Sequence, residues 1–456
     1  MSYETAVAQM YALGHELGQS PTHKFDLAHM RVLLAALGHP ETNFPSVLIA
    51  GTNGKGSTAS TLASILRASG LKTGLYTSPH LVRINERIRL DGVPIADDDF
   101  ALLHDVVGRT AERLVGEGDL PWHPSFFEML TAMAFEYFAR NRPDMVVLEV
   151  GMGGRLDATN VVEPRISIIT DISLDHQKYL GETIAGIARE KAGIIRGGGV
   201  VVTLPQLAEA NDVIGHAILD AEARAVNAVP YVPPVSPGSD FGGQWPVVSG
   251  QHQEAGRSQR YPLEVLGRQI EVESSLVGRH QLRNVALAIA AAVELREQGL
   301  EQITAGSIER GIREAHWPGR FQVIAAEDDS PEYVLDVAHN PAGAWALRST
   351  LSAAYGDRAI TMVFGVLRDK AISEIAEILF PIAERVIVTH ANNPRSASTP
   401  EIRRAAQRVA SEISEVESIE LALEEAKVLA GPGGLVVVTG SIYLVGEAMR
   451  MLGVRI

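Results

Sequence analysis

The 456-residue sequence contains no cysteine. This absence excludes disulfide bonds, thiolate metal sites, cysteine-ligated iron–sulfur clusters and cysteine nucleophiles. Basic residues are also in the minority, with 40 Lys and Arg against 55 Asp and Glu, and the formal net charge is −15. An acidic chain has no general electrostatic reason to bind nucleic acid or an anionic membrane. Any site for an anionic ligand therefore has to be a local one.

Long hydrophobic runs are lacking as well. No stretch approaches the roughly 20 apolar residues of a membrane span. Residues 1–18 lack the basic start and apolar block of a signal peptide. The composition, 46% hydrophobic and 21% charged, is typical of a folded globular protein. We therefore expect a cytoplasmic protein of two or more domains, since the chain exceeds the usual size of a single core.

Short apolar runs alternate with amphipathic helical patterns along the chain. Strands are predicted from residue 47 to residue 204, and a second, shorter series begins near residue 317. Apolar strands separated by helices favour an α/β fold with parallel sheets covered on both faces. We predict two domains, residues 1–315 and 316–456, with a helix at 400–413 in the second. The Gly- and Pro-rich segment 230–256 is predicted to be a loop or an irregular β excursion.

The strongest chemical signal follows the first predicted strand, where the sequence reads GTNGKGS from Gly51 to Ser57. In a strand–loop–helix unit of this kind, backbone N–H groups and the helix N-terminus face phosphate, and Lys55 can reach the phosphates of a nucleotide. The match to the Walker pattern is imperfect, because Ile49 replaces its first Gly and Gly56 directly follows the lysine. The alternative is a tight turn with a surface lysine.

Three polar residues fall at or just beyond the predicted carboxyl ends of strands, where open parallel sheets bind ligands: Ser78, Glu149 and His176. A carboxylate inside an apolar strand is costly unless it is paired or metal-bound, so Glu149 is a candidate Mg²⁺ ligand. The alternatives are an ion pair for Glu149, a hydrogen-bonded structural role for His176 and a simple turn at Ser78.

Two basic residues, Lys191 and Arg320, are further candidates. Lys191 has apolar helix neighbours, and burial would favour a neutral amine that carbon dioxide can carbamylate. The alternative is a lysine that reaches solvent or an ion-pair partner. Arg320 lies near the domain boundary, where it could clamp a transferring phosphoryl group or pair with a surface carboxylate. Asp336 and His339 close a strand of the second series.

Eight segments occur in one order: GTNGKGS, TSPHL, LEVGMGGRLDATN, SLDHQKYLG, IAREKAGIIR, HQLRN, WPGRF and LDVAHNP. From about residue 25 to the C-terminus, the chain resembles the folylpolyglutamate synthase/dihydrofolate synthase family of the Mur ligase superfamily. The resemblance implies a Mur-ligase-type P-loop ATPase domain followed by a smaller Rossmann-like glutamate-ligase domain. It implies an ATP-dependent carboxylate–amine ligase that forms an acyl phosphate, which the amine of L-glutamate then displaces.

The resemblance also assigns residues to roles. The residues implied to bind ATP are Thr52, Asn53, Gly54, Lys55, Gly56, Ser57, Asn284, Arg320, Asp336 and His339. Among them, Asn284 is implied to contact the adenine. Those implied to hold Mg²⁺, expected as two ions, are Ser78, Glu149, His176 and a carbamylated Lys191. Those implied to bind the pterin are Phe25, Asp26, Leu27, Ser125, Phe126, Phe127, Glu128, Leu156, Asp157 and Ala158. The residues implied in catalysis are Lys55, Glu149, His176, Lys191 and Arg320.

The form LDVAHNP resembles bifunctional bacterial members, which glutamylate dihydropteroate and then extend folates with further glutamates. We therefore expect a monomer whose partners are the small molecules ATP, L-glutamate and dihydropteroate or a reduced folate. Three alternatives remain. They are extension of folates alone, a Mur-type ligase of a UDP-linked precursor, and a binding protein gated by a nucleotide. The UDP alternative is disfavoured because no UDP-binding domain is expected before Gly51.

Overall fold

The structure is a computed structural model that describes residues 1–14, 26–233, 258–326, 329–356, 358–409 and 412–454. Phe25, which is expected to bind the pterin, and residues 234–256 of the Gly- and Pro-rich segment lie outside the described residues. The chain divides into two compact units. The first contains Met1–Val232, Leu263–Ile270 and Arg283–Ala315, and the second contains Glu271–Leu282, the segment from His316 onward and Pro233–Pro262.

The helices are α1 (Tyr3–Ala12), α2 (Leu27–Ala36), α3 (Lys55–Ala68), α4 (Asp97–Glu117), α5 (Phe126–Asn141), α6 (Gln177–Leu180), α7 (Ile184–Ala192), α8 (Ala208–Asp220), α9 (Arg279–Glu297), α10 (Ala305–Glu314), α11 (Pro341–Tyr355), α12 (Ile372–Leu379), α13 (Thr399–Ala405), α14 (Ile419–Ala430) and α15 (Ile442–Met451). The strands are β1 (Ser46–Ala50), β2 (Thr73–Tyr76), β3 (Ile88–Leu90), β4 (Val93–Pro94), β5 (Met145–Glu149), β6 (Ile166–Ile169), β7 (Val200–Thr203), β8 (Arg224–Asn227), β9 (Gln259–Val265), β10 (Arg268–Ser274), β11 (Gln322–Ile324), β12 (Glu332–Asp336), β13 (Ile360–Phe364), β14 (Arg385–Val388), β15 (Glu412–Glu415) and β16 (Leu435–Thr439).

The first unit is built on an eight-stranded sheet in the order β4-β3-β2-β5-β1-β6-β7-β8. Strands β2, β5, β1, β6, β7 and β8 are parallel, whereas β3 and β4 extend one edge as antiparallel strands. Every residue of β1, β2, β5 and β6 is buried, which explains why these strands read as continuous apolar runs. Helix α3 follows β1 and packs on the sheet with eleven buried residues.

The second unit has a six-stranded sheet in the order β11-β12-β16-β13-β14-β15. Strand β11 is antiparallel to β12, and the other pairs are parallel. Its core includes Phe321, Phe364 and Phe380, all at most 3% exposed. The predicted α/β class with parallel sheets in both units is confirmed.

The predicted helix over residues 400–413 is wrong in its second half. Helix α13 ends at Ala405, and Glu412–Glu415 forms the edge strand β15. The strand pairs in parallel with β14, with Ile413 opposite Val386. Pairing along a sheet edge therefore decides the conformation of this segment, which short-range periodicity cannot reveal. No helix of the described residues is both long and apolar enough to cross a membrane.

Candidate active site

The sheet order brings four strand ends together in the first unit. Strand β1 pairs with β5, so that Ile49 lies opposite Glu149, and β5 pairs with β2, so that Leu148 lies opposite Tyr76. Strand β6 lies on the other side of β1. The chain beyond these ends carries the GTNGKGS loop, Ser78 and the segment after Ile169. The candidates that are distant in sequence therefore meet at one edge of the sheet, as open α/β sheets require of a ligand site.

Two glycines of the loop lie where a side chain would collide with a neighbour. A Cβ atom on Gly51 would lie 1.8 Å from Oγ1 of Thr170, and one on Gly54 would lie 2.1 Å from Oδ1 of Asn284. Gly54 also has φ of +89°, a conformation that favours glycine, and it caps the N-terminus of α3. The side chain of Asn284, the expected adenine contact, thus lies directly against the loop.

The loop is fastened to the segment that follows β6. The N–H groups of Thr52 and Asn53 both donate to the carbonyl of Asp171, at 2.9 and 3.2 Å. The Thr52 hydroxyl donates to the Ser173 carbonyl at 3.0 Å and accepts from the Ser173 N–H at 3.1 Å. The Asn53 amide donates to the Ser173 hydroxyl at 3.1 Å. Thr52 and Asn53 thus use these groups to fix the shape of the loop, and their contact with ATP stays a prediction.

The donors suited to phosphate come from the first turn of α3. The first intrahelical hydrogen bond runs from the Thr58 N–H to the Gly54 carbonyl, so the amides of Lys55, Gly56 and Ser57 precede the helical ladder. Lys55 folds back over the loop, and its Nζ donates to the carbonyls of Gly51 and Thr52 at 3.2 and 3.3 Å. A helix N-terminus with a lysine above it is an anion site of the kind that binds phosphate.

A second lysine reaches the same loop. Lys191, on α7, is 3% exposed, and its Nζ donates to the Gly51 carbonyl at 2.7 Å. Burial and the positive charge of Lys55 lower the pKa of Lys191 to about 7. The negative charges of Asp175 and Asp157 act in the opposite direction. A buried lysine with this pKa is half neutral near pH 7, which is the state that carbamylation requires.

Glu149 and Ser78 meet beside the loop. Glu149 is 4% exposed, and one of its carboxylate oxygens, Oε2, accepts from the Ser78 N–H at 3.1 Å. His176 lies beyond β6 in a left-handed conformation with φ of +51°, and its Nε2 is 3.9 Å from Oδ2 of Asp175. Among the described residues, no three His, Asp or Glu side chains are grouped as a metal site. A buried carboxylate beside a phosphate loop fits Mg²⁺, which takes few protein ligands together with phosphate oxygens.

The segments expected to bind the pterin mainly show structural contacts. Asp26 caps α2 by accepting from the Ala28 N–H at 2.9 Å, and Leu27 is the first residue of that helix. Ser125 and Glu128 form a capping box at the start of α5, with the Glu128 carboxylate accepting from both the N–H and the hydroxyl of Ser125. These contacts define where α2 and α5 begin.

A buried histidine, which the sequence reasoning passed over, joins these two helices. His29 of α2 is 7% exposed; its Nδ1 lies 3.1 Å from a carboxylate oxygen of Glu128, and its Nε2 lies 3.0 Å from the Trp122 carbonyl. Burial lowers the pKa of His29, but the hydrogen bond and charge of Glu128, together with the Trp122 carbonyl and the charge of Asp26, outweigh it and the net shift is upward. Burial raises the pKa of Glu128, but the hydrogen bonds from His29 and Ser125 outweigh it and the net shift is downward.

The predicted aromatic pair at the start of α5 splits into two environments. Phe126 is 3% exposed, stacked on Tyr11 at 5.9 Å and covered by the Arg87 guanidinium at 5.4 Å. Phe127 is half-buried and lies close to Gly151, where an added Cβ would be 2.5 Å from its ring. Phe126 is therefore a core residue, whereas the Phe127 ring lies beside the chain just beyond the end of β5.

The carboxylate of Asp157 organises its own loop. It accepts from the N–H groups of Met152 and Thr159 at 2.9 and 3.1 Å, and from the Thr159 hydroxyl at 2.5 Å. Burial raises the pKa of Asp157, against these hydrogen bonds. Ala158 is buried and Leu156 is half-buried. The role of this loop in pterin binding stays a prediction.

The remaining candidates lie in the second unit. Asp336, at the end of β12, is 8% exposed and accepts from the N–H groups of Phe321 and Ala338 at 2.8 and 2.9 Å. Burial raises the pKa of Asp336, and the neighbouring Arg320 opposes this rise. His339 Nδ1 lies 2.8 Å from the Val337 carbonyl. The structure thus brings Arg320, Asp336 and His339 together at one strand end of their own sheet.

The sequence reasoning missed the segment that supports the phosphate loop. Thr170 packs on Gly51, Asp171 and Ser173 hold the loop by hydrogen bonds, and Arg283 pairs with the Asp171 carboxylate. One signal was available, because Asp171 is a carboxylate inside the apolar strand predicted over residues 166–172, and the observed strand β6 ends before it, at Ile169. No local pattern in the sequence marked Arg283, since its partner Asp171 is 112 residues away along the chain.

Comparisons with known proteins show the family of this chain. Two family descriptions match the chain: "Mur ligase middle domain" over residues 127–292 and "Mur ligase, glutamate ligase domain" over residues 319–442. The chain is 34% identical to a dihydrofolate synthase/folylpolyglutamate synthase of Bacillus subtilis over 427 residues, which cover 93% of this chain and 94% of the relative.

Solved structures extend the likeness to the whole fold. A Mycobacterium tuberculosis folylpolyglutamate synthase complexed with ADP and AMPPCP has a TM-score of 0.86 and 32% identity, and the match covers 99% of both chains. The Escherichia coli FolC in complex with DHPP and ADP has a TM-score of 0.78 and 28% identity, over 99% of this chain and 98% of the other. The chain therefore belongs to the dihydrofolate synthase/folylpolyglutamate synthase family of ATP-dependent Mur ligases.

Proposed function

We propose that this protein is a bifunctional ligase that adds L-glutamate to dihydropteroate and extends folates with γ-linked glutamates, using ATP. The observation that carries the proposal is the strand-end site, where Lys55 and Lys191 both donate to the Gly51 carbonyl beside the buried Glu149. Relatives named for both activities, and one structure with DHPP and ADP, support it. We assign residues 1–315 to ATP binding and residues 316–456 to glutamate ligation, in a cytoplasmic monomer.

Positioning and charge neutralisation account for the first half of the reaction. The amides at the start of α3 and the Lys55 ammonium would hold the ATP phosphates, so that the acceptor carboxylate can attack the γ-phosphate. The oxygen–phosphorus bond to ADP breaks as the new one forms, giving an acyl phosphate. The amine of glutamate then attacks the acyl carbon, phosphate leaves, and the amine loses a proton.

The metal ligands follow from the donor chemistry of the site. Glu149, Ser78, His176 and a carbamylated Lys191 would hold Mg²⁺, which neutralises charge on the phosphate oxygens when bound. Glu149 fits because a buried carboxylate needs a positive partner. Arg320, from the second unit, would stabilise charge on the transferring phosphoryl group.

Incorporation of labelled glutamate by the purified protein with ATP and Mg²⁺ tests the proposal. We expect incorporation with dihydropteroate and also with a reduced folate. Incorporation only with the reduced folate would contradict the synthase activity and leave extension alone. No incorporation with either acceptor, with nucleotide still bound, would overturn the ligase function and favour a nucleotide-gated binding protein. Light scattering during gel filtration tests whether the protein is a monomer.

Carbamylation of Lys191 has its own test. The neutral amine attacks carbon dioxide, an N–C bond forms and one proton leaves, which gives an anionic ligand. We expect Lys191→Ala to lose turnover and to regain part of it with small carboxylic acids such as formate or acetate. Lys72→Ala is the control, since Lys72 lies at the surface, and the acids should leave its activity unchanged. An active wild-type protein with an unmodified Lys191 by native mass spectrometry would contradict the carbamate.

A further inference from the structure

The segment after β6 is the support on which the phosphate loop rests. The N–H groups of Thr52 and Asn53 donate to one main-chain oxygen, that of Asp171, and the side chains of the same two residues bind Ser173. The path of the loop therefore depends on where the backbone of Asp171 lies. A displacement of this carbonyl would move the amides of Thr52 and Asn53 with it.

The side chain of Asp171 is held by Arg283, which is in turn anchored to the segment after β7. Nε of Arg283 lies 3.0 Å from each carboxylate oxygen, and Nη2 lies 2.6 Å from Oδ1. The same Nη2 donates to the Pro205 carbonyl at 2.8 Å, beyond the end of β7. The two side chains are each 32% exposed, so water screens the pair only in part. A bidentate arginine fixes direction as well as distance, which a lysine cannot do.

Arg283 also precedes Asn284, whose side chain lies against Gly54 and whose carbonyl accepts from the Thr58 hydroxyl at 3.4 Å. One ion pair thus joins the backbone that supports the phosphate loop to the helix that carries the expected adenine contact. We infer that Arg283 is a positioning residue for ATP, which sets the relative placement of the phosphate loop and Asn284 through Asp171. This inference rests on the proposed function.

Binding of the non-hydrolysable nucleotide AMPPCP, measured by calorimetry, tests the inference without requiring turnover. For Arg283→Gln we expect AMPPCP affinity to fall about threefold to fivefold, the range expected for a partly exposed ion pair. KM for ATP should rise by the same factor, with kcat and KM for the acceptor unchanged. Arg283→Lys should recover only part of the lost affinity, because lysine keeps the positive charge but cannot make the bidentate contact.

A double-mutant cycle shows whether Arg283 acts through Asp171. The losses of AMPPCP affinity caused by Arg283→Gln and Asp171→Asn should not be additive. The double variant should bind AMPPCP no more weakly than the weaker-binding single variant. Arg109→Gln is the matched control: it breaks a bidentate pair with Asp105 on α4, with distances of 3.0 and 2.8 Å, and should leave the affinity unchanged.

The outcomes separate the inference from the proposed function. If the wild type binds AMPPCP and Arg283→Gln binds it equally well, the inference is overturned while the ligase function stands. Additive losses in the cycle would also overturn it, as would a lower melting temperature with unchanged affinity. If the wild type itself fails to bind AMPPCP, the proposed function fails.

Discussion

At the scale of single residues, the site depends on ionisable groups that burial makes costly. Glu149 is 4% exposed and Lys191 is 3% exposed, and neither would be stable as an isolated charge in an apolar strand or helix. The carboxylate accepts from the Ser78 N–H, and the amine donates to the Gly51 carbonyl. These groups therefore have a place in the fold before any ligand binds, and they lie at the edge of the sheet where the phosphate loop starts.

Replacing the carboxylate at Glu149 should abolish turnover without unfolding the protein. In Glu149→Gln the amide keeps an acceptor for the Ser78 N–H but loses the charge that attracts Mg²⁺, so we expect glutamate incorporation to fall by at least about 100-fold. Glu136→Gln is the control, because Glu136 is also buried, at 9% exposed, but pairs with Arg140 on α5. Circular dichroism checks the fold, and a Glu149→Gln variant with normal turnover would contradict the metal role.

At the scale of elements, the phosphate loop and the N-termini of helices determine what the site can hold. The loop between β1 and α3 takes its shape from contacts with Thr170, Asp171 and Asn284, which belong to other elements. In the same way α2 and α5 are joined by His29 and Glu128 rather than by apolar packing alone. Two predictions test these connections.

A side chain at Gly54 should disturb both the loop and Asn284. Gly54→Ala combines a positive φ with a collision at 2.1 Å, so we expect AMPPCP affinity to fall by more than about tenfold. Gly38→Ala is the matched control: Gly38 has φ of +83° and nothing within 4 Å of an added Cβ. The control should lose about 1 kcal/mol of stability from backbone strain and keep its affinity. Equal affinities for the two variants would show that the contact with Asn284 is unimportant.

The link between α2 and α5 should depend on pH. The pKa of His29 is raised, so its contribution is complete below about 6.5 and is lost as pH rises through the higher folded value. The pKa of Glu128 is lowered, so its contribution is complete above about 4.5 and is lost as pH falls through the lower folded value. The pair thus stabilises most between about pH 4.5 and 6.5.

We therefore expect His29→Gln to lower the free energy of unfolding more at pH 5.5 than at pH 8.5, by roughly 1 kcal/mol. Urea denaturation at both values measures this difference. His39→Gln is the control, because the His39 side chain is 59% exposed beside Glu41 and such pairs add little stability. A loss that is the same at both pH values would argue that His29 acts through packing alone.

At the scale of the whole molecule, an acidic chain has to bind anions. With a net charge of −15, the protein attracts ATP, folate or glutamate only through local positive groups. In the first unit the groups proposed for this role are Lys55 and the N-terminus of α3. In the second unit Arg320 lies beside Asp336, at the end of β12.

Removal of Arg320 should therefore reduce catalysis although the phosphate loop is intact. We expect Arg320→Ala to lower kcat by about 100- to 1,000-fold, the usual effect of losing a group that stabilises developing charge. Arg385→Ala is the control, since Arg385 lies at the start of β14, the opposite end of the strands from Asp336. Steady-state kinetics with saturating ATP compares the two, and an unchanged kcat for Arg320→Ala would remove this residue from the reaction.

The sequence predicted the secondary-structure elements whose conformation depends on the local residues alone. Buried parallel strands have to be apolar along their whole length, so β1, β5, β6, β13 and β16 could be recognised from composition alone. The helix at 400–413 was wrong in its second half because β15 forms only by pairing with β14. Edge pairing of this kind depends on a neighbour that is distant along the chain.

By itself the sequence determined the α/β class and the phosphate loop, because glycine and lysine must stand in a fixed local order after a strand to bind phosphate. The ligase chemistry followed from the family resemblance that eight ordered motifs carry. Only the tertiary structure decided which groups share one site. The sheet order β2-β5-β1-β6 places Glu149 beside the loop, α7 brings Lys191 to Gly51, and Arg283 reaches Asp171 across 112 residues. These contacts arise from chain folding over long separations, and no local pattern records them.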